Sequence, residues 1–184
     1  MLVFWYDNAK HEGVDSMYKV NKKDEVPIYL FHQGTNYKAY EFLGSHSSKR
    51  KGVSGAIFRV WAPHALSVSV VGDFNDWNRT QNPMEKISDN GLWEGFLPDI
   101  KQYDLYKYSI ETQEGKILLK TDPYAFHMQT RPESASRFYE LGKYLWKDQA
   151  WMDKRKLQNH VGEPINIYEV NIGSWRQYED GQFF

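Results

Sequence analysis

The sequence predicts an all-β protein built as a β-sandwich, and three observations lead to that prediction. Short stretches rich in β-branched and aromatic residues recur at roughly ten-residue spacing after residue 55. Apolar and polar residues alternate within them, as in strands that turn one face toward a core. Glycine, asparagine and proline lie between the stretches and favour tight turns. The sandwich is predicted to span residues 35–126.

The individual strands follow from this alternation and from the turns that separate them. Pro63 ends the first, because proline cannot donate to a strand ladder. Asn90 and Gly91 are typical of a hairpin turn, because both residues tolerate positive φ. Gly115 marks a second hairpin. In chain order the predicted strands are 56–62, 66–70, 92–97, 105–110 and 117–120.

The segments around the sandwich are less regular. Residues 45–52 are polar and basic and are predicted to form a solvated loop rather than a phosphate or nucleic-acid patch. Residues 127–164 are predicted to be an irregular linker with one helix over 149–158, capped by Asp148. One further strand is predicted at 165–172. The structure of residues 1–34 stays open.

Composition excludes several classes of function. The 184 residues carry 23 Lys and Arg against 24 Asp and Glu, so the chain lacks the basic footprint of a nucleic-acid-binding protein. Without cysteine it has no disulfide, thiolate metal site or cysteine nucleophile. The apolar residues 2–6 are too few for a signal peptide or for a membrane span of about 20 residues. We therefore expect a cytoplasmic globular protein that binds neither nucleic acid nor membrane.

The usual motifs of catalysis and cofactor binding do not occur. The histidines lack metal-ligand spacing, and no dinucleotide, P-loop or serine-hydrolase motif is found. Asp73 and Asp76 are the nearest approach to a pair of glycosidase carboxylates. In a turn, however, aspartates usually bond their own backbone. We expect no catalytic residue, no metal and no cofactor.

Trp77 is the strongest candidate for a binding residue. It follows a tight polar turn that can hardly bury a large ring, and an exposed ring can stack on the C–H face of a sugar. Alternatively, Trp77 folds back and closes the end of the sandwich. Lys107 lies between two tyrosines in a strand and is expected on its wet face. Trp61 and Trp93 lie within strand patterns and are predicted to pack in the core.

Four segments carry a family resemblance. They read Phe-Arg-Val-Trp-Ala-Pro at 58–63, Val-Val-Gly-Asp-Phe-Asn-Asp-Trp at 70–77, Leu-Tyr-Lys-Tyr at 105–108 and Thr-Asp-Pro-Tyr-Ala at 121–125. In this order they resemble the glycogen-type carbohydrate-binding module (CBM48, isoamylase N-terminal type). The resemblance implies an immunoglobulin-like β-sandwich, an α-glucan partner and sugar contacts from Trp77 and Lys107. The family's second stacking tryptophan has no counterpart, because residues 116–121 contain no ring.

The second half of the chain narrows the resemblance. It contains Arg-Pro-Glu-Ser-Ala-Ser at 131–136, Trp-Met at 151–152 and Ile-Tyr-Glu-Val-Asn-Ile-Gly-Ser-Trp-Arg at 167–176. These segments resemble the linker and first barrel strand of 1,4-α-glucan (glycogen) branching enzymes, more than those of debranching enzymes. A (β/α)₈ barrel needs about 250 residues, so 165–184 would be its incomplete start. The family's catalytic Asp, Glu and Asp lie on later strands, so none falls within this chain.

The resemblance implies an order of segments and a function. Residues 1–34 would be an extension, 35–126 the sandwich, 127–164 the linker and 165–184 the first strand of a truncated barrel. The chain would be the N-terminal region of a glycogen branching enzyme that binds glucan or braces the barrel, which is missing in cis. Whether it counts as an enzyme stays open, because the retaining transfer of an α-1,4 chain to a 6-hydroxyl is not expected of this chain alone. The alternative is a free-standing glucan-binding or scaffold protein.

Overall fold

The computed structural model describes residues 22–142, 144–158, 161–162, 164, 166–176 and 178–182. These residues fall into two compact units, one up to residue 143 and one from residue 144. Most of the predicted N-terminal extension, residues 1–21, lies outside the described residues. The elements are α1 Glu25–His32, β1 Gly44–Arg50, β2 Val53–Trp61, β3 Ala65–Gly72, β4 Glu85–Lys86, β5 Leu92–Pro98, β6 Leu105–Thr112, β7 Ile117–Lys120, β8 His127–Met128, β9 Ser136–Arg137, α2 Gln149–Leu157 and α3 Ile172–Trp175.

Two antiparallel sheets form a β-sandwich, which confirms the predicted fold class. The first sheet has the order β1-β2-β5-β4. The second has the order β3-β6-β9-β8, and β7 also pairs with β6. The predicted hairpin turn leads into β5, with Gly91 at φ 83°, and Gly115 at φ 77° lies between β6 and β7. All five strands predicted within the sandwich are present.

Strand β1 corrects the prediction of a solvated loop over residues 45–52. It pairs with β2 from Gly44 opposite Arg59 to Arg50 opposite Val53. Lys51 and Gly52 close this hairpin at φ 48° and 86°, so both residues adopt the left-handed conformation of a two-residue turn. β1 is an edge strand, and edge strands carry polar and charged side chains. The apolar alternation that revealed the other strands is therefore missing here.

The space between the sheets is filled by inward side chains of β2, β3, β5 and β6. The ring of Phe58 packs edge-on against Tyr106 with centroids 5.0 Å apart. Trp93 is buried, as predicted. Phe138, beyond the predicted end of the sandwich, is buried in the same cluster. With β8 and β9 in the second sheet, the predicted boundary at residue 126 falls inside the first unit.

Trp61 was predicted to pack in the core, and this prediction is wrong. Phe58 and Val60 point into the core, so Trp61 points to the other face of the sheet, where it is 53% accessible. Its ring packs edge-on against Phe31 of α1 at 5.8 Å. Its Nε1 donates a hydrogen bond of 2.8 Å to the carbonyl of Asn90. An aromatic residue within a strand pattern does not by itself show which face of the sheet its side chain occupies.

Helix α1 begins beside a buried ion-pair network that ties it to the first sheet. The guanidinium of Arg59 donates from Nε to Glu94 Oε2 at 2.7 Å and from Nη2 to Asp24 Oδ2 at 3.1 Å. The same group lies over the ring of Phe42 at 4.3 Å. Arg59 is buried, so the two carboxylates must offset the free-energy cost of removing its positive charge from water.

The Asp-Pro motif, Asp122 and Pro123 of the segment at 121–125, supplies a second buried polar network inside the sandwich. Asp122 is only 3% exposed, and its Oδ2 accepts hydrogen bonds from the hydroxyls of Tyr106 at 2.6 Å and Tyr108 at 3.2 Å. Its amide donates to the hydroxyl of Ser136 at 3.0 Å, and its Oδ1 accepts from the amide of Tyr124 at 2.8 Å. Burial raises the pKa of the carboxyl, and the hydrogen bonds from Tyr106 and Tyr124 oppose that rise. The network joins β6, β9 and the motif.

The described residues of the second unit form two helices. α2 agrees with the helix predicted over 149–158, but Asp148 occupies the N-cap position without a side-chain capping bond. The strand predicted at 165–172 is not seen: residues 166–171 have no strand structure, and α3 begins at Ile172. A strand needs neighbours, and no described residue pairs with this segment. Among the described residues, no helix combines the length and apolar character needed to cross a bilayer.

Candidate functional site

The turn that presents Trp77 is built around the side chain of Asn75. After β3 the chain makes a short 3-10 turn at Asp73–Asn75. The buried amide of Asn75 accepts from the backbone of Gly72 at 2.9 Å and donates to the carbonyl of Val70 at 3.0 Å and to Asn82 Oδ1 at 2.6 Å. The side chain of Asn75 thus links the end of β3 to Asn82, beyond the turn.

Gly72 is required in this turn for space rather than for an unusual φ. Its φ of −176° is ordinary extended backbone. A Cβ here would overlap the carbonyl oxygen of Leu105 and lie 2.6 Å from the ring of Phe74. Glycine therefore lets the turn pass close to the start of β6.

Trp77 is held in a left-handed conformation with its ring partly exposed. Asp76 and Trp77 have φ values of 51° and 58°, which non-glycine residues rarely adopt in succession. Trp77 is 38% exposed, and its Nε1 donates a hydrogen bond of 2.9 Å to Asp73 Oδ1. The ring is therefore pinned at the surface rather than folded into the core.

Lys107 belongs to the same corner of the second sheet as Trp77. It pairs with Val71 in the β3–β6 ladder, and the amide of Trp77 donates to the carbonyl of the adjacent Gly72 at 2.9 Å. Tyr106 and Tyr108 point into the core, so the side chain of Lys107 lies on the outer face. This position agrees with the predicted outer face of the strand, although the side chain is half-buried rather than fully exposed.

Ser134 fixes the position of the Lys107 ammonium group. Lys107 Nζ donates to the hydroxyl of Ser134 at 3.0 Å. The carbonyl of Ser134 accepts a hydrogen bond of 2.5 Å from Thr121 at the end of the hairpin. Ser134 was missed in the sequence because it lies 27 residues from Lys107, and no local pattern links the two.

An aliphatic residue completes this outer face. Leu119 of β7 pairs with Ser109, which shares the face of Lys107, and its side chain is exposed. No residue between 116 and 121 supplies a ring. We call Trp77, Lys107, Leu119 and Ser134 the Trp77 surface.

Arg79 anchors the loop that follows Trp77 across the outer face. Its Nη2 donates to Glu111 Oε2 at 2.7 Å, and the hydroxyl of Ser67 donates to the same oxygen at 2.8 Å. The hydrogen bond from Arg79 lowers the pKa of Glu111. Both strands of the β3–β6 pair thus hold the loop in place.

The arrangement can bind, but nothing in it performs chemistry. Asp73 bonds the Trp77 indole instead of facing a second carboxylate. Across the described residues, no group of three or more His, Asp or Glu side chains gathers to hold a metal ion. The partly exposed Trp77, the positioned ammonium of Lys107 and the exposed Leu119 are groups that can contact a polar ligand.

Comparisons with known proteins find matches for the sandwich and for most of the chain. Residues 42–125 match the family model of carbohydrate-binding module 48, the isoamylase N-terminal domain. The chain is 46% identical over 160 residues to a 1,4-alpha-glucan branching enzyme of Geobacillus stearothermophilus, a match that spans 87% of this chain and 25% of that protein. It is 49% identical over 156 residues to that of Chlamydia abortus, spanning 84% of this chain and 21% of that protein.

Part of the chain is also similar to solved structures. A pullulanase from Bacillus acidopullulyticus is 27% identical, with 53% of this chain and 12% of that chain covered at a TM-score of 0.43. The chain spans about a quarter of the length of the curated relatives it matches. Its first unit contains a carbohydrate-binding module 48 domain, and the chain belongs with the N-terminal quarter of bacterial 1,4-alpha-glucan branching enzymes.

Proposed function

We propose that this chain is the non-catalytic N-terminal region of a branching enzyme acting in the cytoplasm, and that its sandwich binds α-glucan through the Trp77 surface. The observation that carries the proposal is the partly exposed Trp77, whose indole bonds Asp73 and whose amide bonds Gly72, next to the residue that pairs with Lys107. The face of the indole offers apolar area to the C–H face of a glucose unit. The ammonium of Lys107 can donate to a sugar hydroxyl while it keeps its contact with Ser134.

The absence of a second ring makes this a weak site. Leu119 offers apolar contact but no flat π surface. By analogy with base–aromatic stacking, a missing ring reduces the binding free energy by about 1–3 kcal/mol. We therefore expect affinity for polymeric glucan, where many chain ends lie close together, to exceed that for short oligosaccharides.

A second role, bracing the catalytic barrel, is favoured by the second unit. Its described residues leave many large apolar side chains exposed, among them Trp146, Leu157 and Tyr168. Exposed apolar groups at this density are typical of surfaces that pack against a partner. We propose that residues 165–184 form the first barrel strand once the remaining strands are present. A free-standing glucan-binding protein would not need this surface.

Affinity gel electrophoresis with and without amylopectin tests the proposed function. We expect amylopectin to retard the chain, and Trp77→Ala and Lys107→Met to reduce the retardation. Trp61→Ala is the matched control, because Trp61 is also partly exposed and its Nε1 also bonds the chain, but on the other sheet. No retardation of the unsubstituted chain would contradict glucan binding and leave bracing as the function.

A further inference from the structure

A separate cleft beside β1 is lined by several aromatic rings. It has a volume of about 650 Å³ and lies between the turn at Ala39–Glu41, the start of β1 and residues 139–142. This volume falls within the range of about 300–1,000 Å³ typical of ligand sites. None of its lining residues belongs to the Trp77 surface.

Aromatic side chains form the walls of the cleft. Tyr40 is 46% exposed, Phe126 is 36% exposed and Tyr139 is half-buried. Phe126 is held edge-on against His46 at 5.8 Å, and Tyr139 contacts His127 at 5.5 Å. The rings are therefore positioned before any ligand arrives, which reduces the entropy lost on binding.

The Tyr139 wall continues into a strained residue. Tyr103 has φ 74°, a left-handed conformation that bulky residues rarely adopt, and its amide donates to the carbonyl of Phe138 at 2.8 Å. Its half-exposed ring lies 5.7 Å from that of Tyr139. Backbone strain of this kind clusters at functional sites.

The polar groups of the cleft favour a neutral ligand rich in hydroxyls. Among the residues that the structure describes, the lining contains the carboxylates of Glu41 and Glu140 but no lysine or arginine, which disfavours phosphates and other anions. His46 Nε2 lies 2.8 Å from the carbonyl oxygen of Leu43, so this nitrogen carries a hydrogen and donates it to that carbonyl, and the two carboxylates remain as the acceptors of the cleft. Hydrogen-bond acceptors placed among aromatic rings suit a sugar, whose hydroxyl groups donate hydrogen bonds and whose C–H faces pack on rings.

The cleft also extends in a way that suits a chain-like ligand. A neighbouring cleft of about 720 Å³ shares Ser47 and Glu140 with the first, and these two side chains are hydrogen-bonded to each other. The two clefts therefore lie on either side of this pair, next to the edge strand β1. A ligand of several linked units can occupy both sides of this bridge.

We propose that the cleft walled by Tyr40, Phe126 and Tyr139 is a second saccharide-binding site, which takes a segment of a neutral oligosaccharide. That the saccharide is an α-1,4-glucan rests on the proposed function, whereas the site itself rests on the cleft. With two sites on separate surfaces, one module can hold two segments of a branched polymer.

Isothermal titration with maltoheptaose on the 184-residue chain tests the site. We expect Trp77→Ala to leave one class of binding, and Tyr40→Ala to weaken that remaining binding about tenfold, as the loss of one stacking ring would. Tyr37→Ala is the control, because Tyr37 is 91% exposed three residues away and does not line the cleft. Phe126→Ala, with its thermal unfolding measured, provides a second variant.

Each outcome separates this site from the Trp77 surface. Loss of all binding in Trp77→Ala would overturn the second site while supporting the proposed function. Binding that survives Trp77→Ala but weakens in Tyr40→Ala and Phe126→Ala supports the cleft, whatever Trp77 contributes. Equal affinities of Tyr40→Ala, Phe126→Ala and Tyr37→Ala in the Trp77→Ala background would also overturn it. Absence of maltoheptaose binding to the unsubstituted chain would overturn the second site, whereas the proposed function is decided separately by retardation in amylopectin gels.

Discussion

The indole Nε1 of Trp77 donates a hydrogen bond of 2.9 Å to Oδ1 of Asp73, four residues earlier in the chain. The bond is made at the surface, so it contributes little to folding, but it restricts the ring to one orientation. A ring that is already oriented loses less conformational entropy when a ligand stacks on it.

Replacing Asp73 should therefore change binding more than stability. In Asp73→Ala the indole loses its acceptor, and we expect retardation by amylopectin to fall severalfold with the thermal midpoint nearly unchanged. Asp73→Asn keeps an acceptor oxygen and should bind nearly as well as the unsubstituted chain. Equal retardation of Asp73→Ala and Asp73→Asn would show that the hydrogen bond does not matter for binding.

Asn75 should behave in the opposite way. Asn75→Ala removes three hydrogen bonds of a buried side chain and leaves backbone partners unsatisfied. We expect the free energy of unfolding in urea to fall by about 2–4 kcal/mol. The control is Asn78→Ala, which removes bonds to Thr80 at the exposed side of the loop and should cost less than about 1 kcal/mol. Similar losses in the two variants would contradict the role of Asn75.

The buried ion-pair network gives a third prediction. Arg59→Met leaves Glu94 and Asp24 without the guanidinium that pairs with both. Removing one partner of a buried charge network typically costs about 3–5 kcal/mol, and we expect a urea midpoint lowered accordingly. Lys38→Met removes an exposed pair with Glu41 and should change stability by less than about 1 kcal/mol.

Stability should fall in alkaline solution because of two buried phenols. Burial raises the pKa values of Tyr106 and Tyr108 well above the usual 10.0, and the charge of Asp122 adds to this. Their contribution to stability is thus complete below about pH 10 and is lost at higher pH, because the unfolded chain releases these protons first. Urea midpoints between pH 8 and pH 11 measure this loss.

Single substitutions assign the alkaline loss to these residues. Tyr106→Phe should lower stability at neutral pH, because its hydroxyl bonds Asp122, but should flatten the decline above pH 10. Tyr37→Phe, at an exposed position, should leave the decline unchanged. A decline as steep in Tyr106→Phe as in the unsubstituted chain would assign it to other groups.

The parts of the fold that could be predicted from the sequence are those with one buried face. β3 and β6 alternate apolar and polar residues because only one side of each reaches the core, and the hairpin at Gly91 needs a residue that accepts positive φ. Edge strand β1 has no such alternation, and Trp61 lies on a face whose cover comes from α1, distant in sequence. Burial that depends on another element has no local signal.

The same limit applies to the candidate sites. Trp77 and Lys107 could be selected from residue type and motif, and that prediction of their binding role stays untested. Their supports, Asn75 and Ser134, depend on contacts that only the folded chain creates. The rings of the cleft come from three separate segments, so no spacing in the sequence could indicate them.

The burial of Phe138 and the bond between Ser136 and the Asp122 amide set the smallest piece of this chain that can be moved as a unit. A fragment cut at residue 125, where the family match ends, would expose one side of the core and strip β6 of its β9 neighbour. Transplanting the sandwich into another enzyme should therefore carry residues 22–142. The unit that can be moved is therefore longer than residues 42–125, the part that matches the family model.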